Sequence, residues 1–245
     1  MSITLSAAHS HSVPCYVPPI GSKWVAEATQ DTFGQDLRAM HPFGVRMRFA
    51  RNETITSESA GVPLVYKVIS GMVRLCKRAP DGRRQIADFM LPGGLFGFMA
   101  GVKYGFAAQA VTDVILFAYP QHQIDHLAAA MPSLYNRVNA LLAENSLIMR
   151  RHLEGLRSRT PNQRVAAFLL RLSERNGSIL GDRLDISMGR QDIADHLGLT
   201  TETVCRAITE LKRIRIVTAP NTNELIINDL NALEAVAGGE ASGAA

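Results

Sequence analysis

Glu202 and Arg206 stand four residues apart, with Cys205 between them, in the segment RQDIADHLGLTTETVCRAITELKR, residues 190–213. Residues four apart share one face of a helix. A guanidinium can donate two hydrogen bonds to guanine, and a carboxylate can accept one from the cytosine amino group. This face, together with Thr201 just before Glu202, therefore predicts hydrogen bonding to base edges in the major groove of DNA.

The same segment has the apolar pattern of two short helices joined by a tight turn. Gly198 interrupts the pattern where the chain must turn, because glycine adopts backbone angles that other residues avoid. Thr200 is a suitable N-cap for the second helix. The residues expected to be buried are Ile193, Ala194, Leu197, Leu199, Val204, Ile208 and Leu211. The pattern predicts a helix-turn-helix, and the alternative is an ordinary helical hairpin with a solvated charged face.

Basic and hydroxyl side chains surround the predicted second helix. Such groups commonly bind DNA phosphates, which fix a protein on the duplex without reading its sequence. The residues predicted to contact phosphates are Thr200, Thr209, Lys212, Arg213 and Arg215. Phosphate contacts of this kind make DNA affinity depend strongly on salt.

Short β patterns and a further helix complete this module. Residues 214–218 and 224–227 are typical of two strands around a turn at 219–223. Upstream, residues 162–172 have apolar side chains at helical spacing. Residues 159–232 are therefore predicted to form a winged helix-turn-helix domain.

A long helical pattern, from residue 132 to residue 156, precedes the winged domain. Its apolar residues alternate by four and three, which is the spacing of a coiled-coil seam. The predicted dimer contacts are Leu134, Val138, Leu141, Asn145, Ile148 and His152. Parallel pairing of residues 132–158 in two chains would place two recognition helices about 34 Å apart, in successive major grooves. The alternative is a helix that packs on its own chain through Leu142, Met149, Leu153 and Leu156.

Between residues 43 and 119 the chain changes character, with short β-rich runs separated by glycine-bearing turns. The runs predicted to be strands are 64–69, 72–76, 85–90, 95–98 and 114–118. Their number and spacing favour a small antiparallel roll, which we assign to residues 26–131. The predicted fold class is α+β: an N-terminal β-roll like a cyclic-nucleotide-binding domain, a long dimerisation helix, and a C-terminal winged helix-turn-helix.

Composition sets outer bounds on the function. The chain has 245 residues, 47% of them hydrophobic, and a net charge of +4, which fits a polyanionic partner. Its three cysteines lie far apart, so neither a disulfide framework nor a metal site is predicted. No apolar run approaches the roughly 20 residues that cross a bilayer, and a cytoplasmic protein is expected. Residues 1–25 are predicted to be a flexible segment and residues 233–245 a disordered tail.

The order of roll, long helix and winged helix-turn-helix, over residues 30–230, resembles the CRP/FNR superfamily of bacterial transcription regulators. That family reads its half-site with a glutamate, a residue three further on and the arginine after it, which are Glu202, Cys205 and Arg206 here. Thr201 stands where CRP-like members have arginine, and Cys205 where FNR-like members usually have serine. The resemblance is nearer to FNR and FixK, and it implies a homodimer that recognises a palindrome similar to TTGA-N6-TCAA.

The resemblance also bears on the sensory half. Only Cys15 and Cys76 could contribute to an FNR-type iron-sulfur cluster, which usually needs four cysteines. Phe98 and Met99 follow Gly97 where cyclic-AMP binders have a Gly-Glu pair, and no phosphate clamp is evident. The stretch LFGFMAG and FAAQAVTD is similar to FixK proteins, which act in low-oxygen and nitrogen-oxide gene circuits. No cofactor is predicted.

The predicted function is a sequence-specific transcription regulator, an activator in contact with RNA polymerase, with no catalytic residue. Cys205 is a candidate for redox control, because it lies in the first turns of a helix beside Arg206, and both features stabilise a thiolate. The alternative is a cysteine that only contacts DNA.

Three other functions stay open at this point. The first is a regulator of the same superfamily that senses a small molecule, or haem through Cys76. The second is a cupin-like metalloenzyme, which is disfavoured because residues 43–119 contain no histidine to bind a metal. The third is a DNA-architectural protein, which would have no need of a roll.

Overall fold

A computed structural model describes residues 40, 42–57, 63–79, 82–98, 105–176 and 183–239. Within this part of the chain, a roll of eight strands is followed by two helices, and then by a domain of four helices and three strands. The predicted α+β architecture is confirmed. The predicted N-terminal segment, residues 1–25, lies outside the described residues.

The roll consists of two antiparallel sheets of four strands each. The strands are β1 Val45–Phe49, β2 Thr54–Thr56, β3 Leu64–Ser70, β4 Val73–Arg78, β5 Arg84–Met90, β6 Leu95–Phe96, β7 Ala107–Ala110 and β8 Val114–Pro120. One sheet has the order β1-β8-β3-β6 and the other β2-β7-β4-β5. Their β-branched and aromatic residues suit a half-buried pleated surface. Val68, Val73 and Leu116 are fully buried in the cluster that joins the two sheets.

Two helices follow the roll. The first, α1 (Gln121–Ala130), was not predicted, whereas the second, α2 (Pro132–Ser158), has nearly the predicted bounds. Pro132 begins α2, where the missing N–H of proline removes no helical hydrogen bond.

The described part of the face of α2 that was predicted to form a dimer seam packs on its own chain instead. Leu134 is fully buried in one cluster with Phe117 and Tyr119 of β8, and Val138 and Leu141 are partly buried against that cluster. The prediction of Leu134 as a dimer contact is therefore wrong, because its surface is already covered within one protomer. The side chains of Asn145, Ile148 and His152 lie outside the described residues.

The adjacent face of α2 is exposed at its start and half-buried further along. Tyr135, Leu142 and Met149 are seven residues apart along it, and the Tyr135 side chain is 56% exposed. Packing on the chain itself through Leu142 and Met149 was the alternative in the sequence analysis, and both side chains are half-buried.

The C-terminal unit, residues 161–239, is called the winged domain below. Its elements are α3 Pro161–Asn176, β9 Arg183–Asp185, α4 Arg190–Leu197, α5 Thr201–Arg213, β10 Val217–Asn221, β11 Glu224–Ile227 and α6 Leu230–Gly238. The sheet order is β10-β11-β9, so the wing has a third strand that was not predicted. The first wing strand was predicted to begin at residue 214, but in the structure it begins three residues later, at Val217.

The predicted disordered tail, residues 233–245, is wrong in its first part. Residues 230–238 form α6, which is capped by the Asp229 side chain through the Ala232 amide at 2.9 Å. Leu233 is fully buried and Ala237 nearly so, in the apolar core that α6 shares with α3. The small-residue composition concealed these two anchors, while residues 240–245 lie outside the described part.

The roll and the winged domain share one apolar core. Cys76, Ile86 and Phe89 of the β4-β5 hairpin belong to the same buried cluster as Phe168 of α3 and Leu197 of α4. The two domains are therefore in direct contact along β5 and α4. None of the described helices is both long and apolar enough to cross a bilayer.

Candidate nucleic-acid interface

Helices α4 and α5 meet at a sharp corner that fixes the start of α5. Gly198 ends α4 with a φ of +62°, a left-handed conformation that glycine adopts without strain. The Leu199 amide donates to the Ala194 carbonyl at 3.0 Å, which completes the end of α4. Thr200 is the N-cap of α5, because its Oγ1 accepts a hydrogen bond from the Thr203 amide at 3.2 Å. The helix-turn-helix prediction is confirmed.

The inner side of α5 is apolar and covered. Val204, Ala207, Ile208 and Leu211 are all buried and pack into the core of the winged domain. Their spacing of three and four residues leaves the opposite side free. Burial on one side therefore gives α5 a fixed rotation about its own axis.

The outer side of α5 carries the residues predicted to contact bases: Thr201, Glu202, Cys205 and Arg206, called the base-reading face below. Glu202, Cys205 and Arg206 are exposed, and Thr201 is half-buried at the first helical position. The structure thus brings the four residues together on one side of a single helix. Nothing in the described part of the chain covers the three exposed side chains.

Glu202 and Arg206 form an ion pair with each other across one helical turn. Their side chains are 70% and 76% exposed, so water screens the pair, which adds no more than about 1 kcal/mol. Both groups can exchange this weak contact for hydrogen bonds to DNA. The pair therefore holds the two side chains near each other without making them unavailable.

Two residues of α4 that sequence reasoning missed lie against the base-reading face. Gln191 accepts a hydrogen bond from the Thr201 hydroxyl at 2.7 Å. Arg190 has a buried Nη1 with no hydrogen-bond partner among the described residues, and it lies close enough to Cys205 to interact electrostatically. Burial lowers the pKa of Arg190, and the proximity of Cys205 opposes this shift. Only the folded corner brings Arg190 and Gln191 next to α5. Their position at the start of the predicted first helix was the one sequence feature that could have indicated this.

The residues predicted to hold phosphates flank the base-reading face. Thr200 lies at the N-terminus of α5, while Lys212, Arg213 and Arg215 lie at and beyond its C-terminal end, all exposed. Thr209 projects from the same helix, and its hydroxyl donates to the Cys205 carbonyl at 2.8 Å.

The basic residues at the end of α5 differ in how far they are already engaged. Arg213 donates to both carboxylate oxygens of Glu210, at 2.9 and 2.7 Å, and this pairing lowers the pKa of Glu210. Lys212 makes no ion pair within the described residues. Arg215 has a φ of +60°, and its carbonyl accepts from the side-chain Nδ2 of Asn228 at 3.0 Å, which fixes the backbone between α5 and the wing.

The two described cysteines have opposite environments. Cys205 is exposed on α5, whereas Cys76 is buried on β4 between the roll and the winged domain. Burial raises the pKa of the Cys76 thiol, which disfavours the thiolate that would bind haem iron. The geometry therefore gives no support to the haem alternative at Cys76.

Two family profiles match the chain in the order of its domains. The cyclic nucleotide-binding domain matches residues 46–130, and the Crp-like helix-turn-helix domain matches residues 163–236. These are the roll with α1 and the winged domain of the structure.

Curated relatives and a solved structure match between 70% and 95% of the chain. The nitrogen fixation regulation protein FixK of Azorhizobium caulinodans is 35% identical over 95% of this chain and 98% of its own. The transcriptional activatory protein AadR of Rhodopseudomonas palustris is 35% identical over 70% and 72%. The structure of FixK2 from Bradyrhizobium japonicum superposes with a TM-score of 0.74 at 30% identity, covering 82% of this chain and 99% of that one.

Proposed function

Because this chain belongs to the CRP/FNR family of transcription regulators and is FixK-like, we propose that it recognises a TTGA-N6-TCAA-like palindrome as a homodimer, without a cyclic nucleotide. It is a DNA-binding regulator rather than an enzyme. Oxygen-responsive genes are its proposed targets, because the chain is similar to FixK proteins. We also propose that these genes respond to low oxygen or to nitrogen oxides, and that the protein is cytoplasmic.

The observation that carries the proposal is the base-reading face, exposed on a helix whose opposite side is locked into an apolar core. Arg206 is assigned to guanine and Glu202 to the cytosine of the same half-site, because these pairings satisfy the donors and acceptors of the major groove. Cys205 and Thr201 are assigned to the outer bases. Thr200, Thr209, Lys212, Arg213 and Arg215 are assigned to phosphates.

The homodimer is proposed to form through the exposed face of α2. Tyr135, Leu142 and Met149 repeat every seven residues, which suits knobs-into-holes packing of two parallel helices. This face replaces the seam that Leu134 was expected to begin. Sedimentation checks the proposal: Leu142→Glu should shift the dimer to monomer, whereas Ala140→Glu, exposed on the other side of α2, should not. A Leu142→Glu protein that stays dimeric would rule out this face.

Function without a cyclic nucleotide is supported by the contents of the roll. Tyr66 and Phe96 stack inside it with ring centroids 5.1 Å apart, next to the buried Ala108 and Ala110. Gln109, between the two alanines, is engaged from outside the cluster by Arg74 Nε at 3.2 Å. Alanine side chains offer no charged partner to an anionic phosphate.

Activation is proposed to proceed through contact with RNA polymerase. Support comes from AadR, an activatory protein of similar length and sequence. The contact surface is assigned to exposed loops of either domain, since α5 is engaged with DNA and one face of α2 with the partner protomer.

Oxidation of Cys205 is proposed to weaken DNA binding. The thiol is exposed on the base-reading face, with the Arg190 guanidinium nearby at the start of α4. The thiolate sulfur attacks one oxygen of a peroxide, the O–O bond breaks, hydroxide leaves, and a sulfenic acid remains. Cys205→Ser should bind DNA equally well before and after peroxide treatment. Persistent peroxide sensitivity in that variant would place the lesion elsewhere.

The experiment that tests the proposed function is fluorescence anisotropy of the reduced protein on a TTGA-N6-TCAA duplex and on a scrambled duplex, at one salt concentration and without effector. We expect at least about 1,000-fold preference for the palindrome, which is the lower range for specific regulators. Equal affinity for the two duplexes contradicts sequence-specific recognition. Selective binding that appears only after a small molecule or haem is added contradicts effector-free function.

A further inference from the structure

Four charged side chains join the roll to the first helix of the helix-turn-helix. They are Arg74 on β4, Arg84 on β5, and Asp192 and Asp195 on α4, and we call them the interdomain ion cluster. Asp192 Oδ2 accepts from Arg74 Nη1 at 2.7 Å, and its Oδ1 accepts from Arg84 Nη2 at 2.5 Å. Each oxygen of one carboxylate is thus bound by a different strand of the roll.

The cluster is built for fixed geometry rather than for loose attraction. The Asp192 side chain is only 8% exposed and that of Arg74 12%. Arg74 is also held within the roll, because Nε donates to Gln109 at 3.2 Å and Nη2 donates to Asn52 at 3.3 Å. A guanidinium presents its donors in a rigid fork, so contacts on three sides leave it one orientation.

A chain of hydrogen bonds continues from the cluster to the base-reading face. Arg84 Nε donates to Asp195 Oδ2 at 2.8 Å, and the other oxygen of Asp195 accepts from Gln191 Nε2 at 2.7 Å. The carbonyl oxygen of Gln191 accepts from the hydroxyl of Thr201, the first residue of α5, at 2.7 Å. Side chains of the roll are therefore linked to the start of the recognition helix through α4.

Further contacts support the same joint. Asp88 on β5 binds Arg175 of α3 at 2.8 Å. His196 of α4 is buried, with Nδ1 lying 3.1 Å from the Ile86 carbonyl and its ring packed edge-on against Phe89 and Phe168. Apolar packing brings the domains together, while the directional bonds of the ion cluster select one relative orientation.

We propose that Arg74 and Arg84 of the roll are positioning residues for DNA recognition, which set the orientation of α5 by holding α4 through Asp192 and Asp195. This inference rests on the proposed function, because orientation matters most when two recognition helices must fit two half-sites at once. The roll thereby contributes to specificity without touching DNA.

The consequence is a strict preference for one spacing between half-sites. One inserted base pair moves a half-site by about 3.4 Å along the duplex and rotates it by about 34°. A rigid joint between roll and winged domain cannot follow this change, whereas a loosened joint can. The ratio of affinities for duplexes with different spacers therefore reports on the orientation of α5. If Arg74 and Arg84 only supported folding, their loss would leave this ratio unchanged.

The test compares full-length dimers on palindromes with N5, N6 and N7 spacers. The variants are Arg84→Gln, Asp195→Asn and the two combined, with Lys77→Gln as matched control, since Lys77 is exposed on β4 and loses the same charge. Hydrogen exchange of the α4 amides, without DNA, measures the joint independently of recognition.

The wild type and Lys77→Gln are expected to bind N6 at least about tenfold more tightly than N5 or N7, which is about 1.4 kcal/mol. In Arg84→Gln this preference should fall to about threefold or less, with faster exchange in α4. The combined variant should lose no more than the worse single one, because the two side chains act through each other.

Two results would overturn the inference: an unchanged spacing preference in Arg84→Gln, which includes equal weakening on all three duplexes, or unchanged protection of the α4 amides. If the wild type does not bind the N6 palindrome, the proposed recognition sequence is wrong. Hydrogen exchange of the α4 amides then tests by itself whether the ion cluster holds α4. Asp195→Asn keeps a hydrogen-bonding side chain and provides the comparison if Arg84→Gln fails to fold.

Discussion

Arginine and carboxylate side chains pair in two regions of this protein with opposite consequences. On the base-reading face, Glu202 and Arg206 are 70% and 76% exposed. In the interdomain ion cluster, Asp192 and Arg74 are 8% and 12% exposed, and Asp192 has a second arginine partner. The charged side chains of the first region can bind a ligand, whereas those of the second are already bound to each other and hold the two domains together.

Solvent explains this difference. An exposed pair gains little because water and salt screen it, so it is easily exchanged for contacts to DNA. A buried pair has lost its water, and removing one partner leaves an unpaired charge in a poor solvent, which costs about 3–5 kcal/mol. Loss of a partner should therefore affect binding in one region and stability in the other.

The largest expected effect is the removal of Asp192. Asp192→Ala should lower the free energy of unfolding by about 3–5 kcal/mol, because Arg74 and Arg84 both lose a carboxylate at a covered interface. Urea denaturation followed by circular dichroism measures this loss.

The control for Asp192 is Asp125→Ala, an exposed residue of α1, which should change stability by no more than about 0.5 kcal/mol. Equal stability of the two variants would mean that the interdomain ion cluster contributes no more to the free energy of unfolding than an exposed side chain. The proposed difference between the two regions would then be wrong.

The next effect in size concerns Arg206. Arg206→Ala should cost about 1–3 kcal/mol of discrimination at each half-site while leaving the urea midpoint unchanged. Anisotropy on the palindrome and the scrambled duplex measures this difference. Arg48→Ala, exposed on β1, is the matched control and should bind both duplexes like the wild type. A loss that is the same on both duplexes would make Arg206 a phosphate contact.

Local patterns explain why the base-reading face could be predicted from sequence. Val204, Ile208 and Leu211 mark the buried side of α5 by spacing alone, and the opposite side follows from helical geometry. Gly198 and Thr200 mark the corner through their own backbone and side-chain preferences. Every residue involved lies within one short segment.

The ion cluster has no such signature. Asp192 stands 118 positions after Arg74 and 108 after Arg84, and a spacing this long carries no periodic signal. Leu134 was assigned wrongly for a related reason, because two adjacent faces of α2 are apolar and only the folded roll shows which one is covered. The small-residue composition also concealed α6, which Leu233 and Ala237 anchor in the core.

The smallest expected effect sharpens the comparison at the end of α5. Lys212 makes no ion pair among the described residues, whereas Arg213 already binds both oxygens of Glu210. Lys212→Ala should lower the slope of log affinity against log salt by about 0.9 and weaken palindrome and scrambled duplex alike.

Arg213→Ala is expected to lower that slope less, because binding a phosphate would require Arg213 to leave Glu210. Titrations of both variants between low and physiological salt measure the difference. If the two slopes fall equally, the exposed pair of Arg213 with Glu210 does not hinder phosphate binding. Burial alone would then decide which charged side chains can bind DNA.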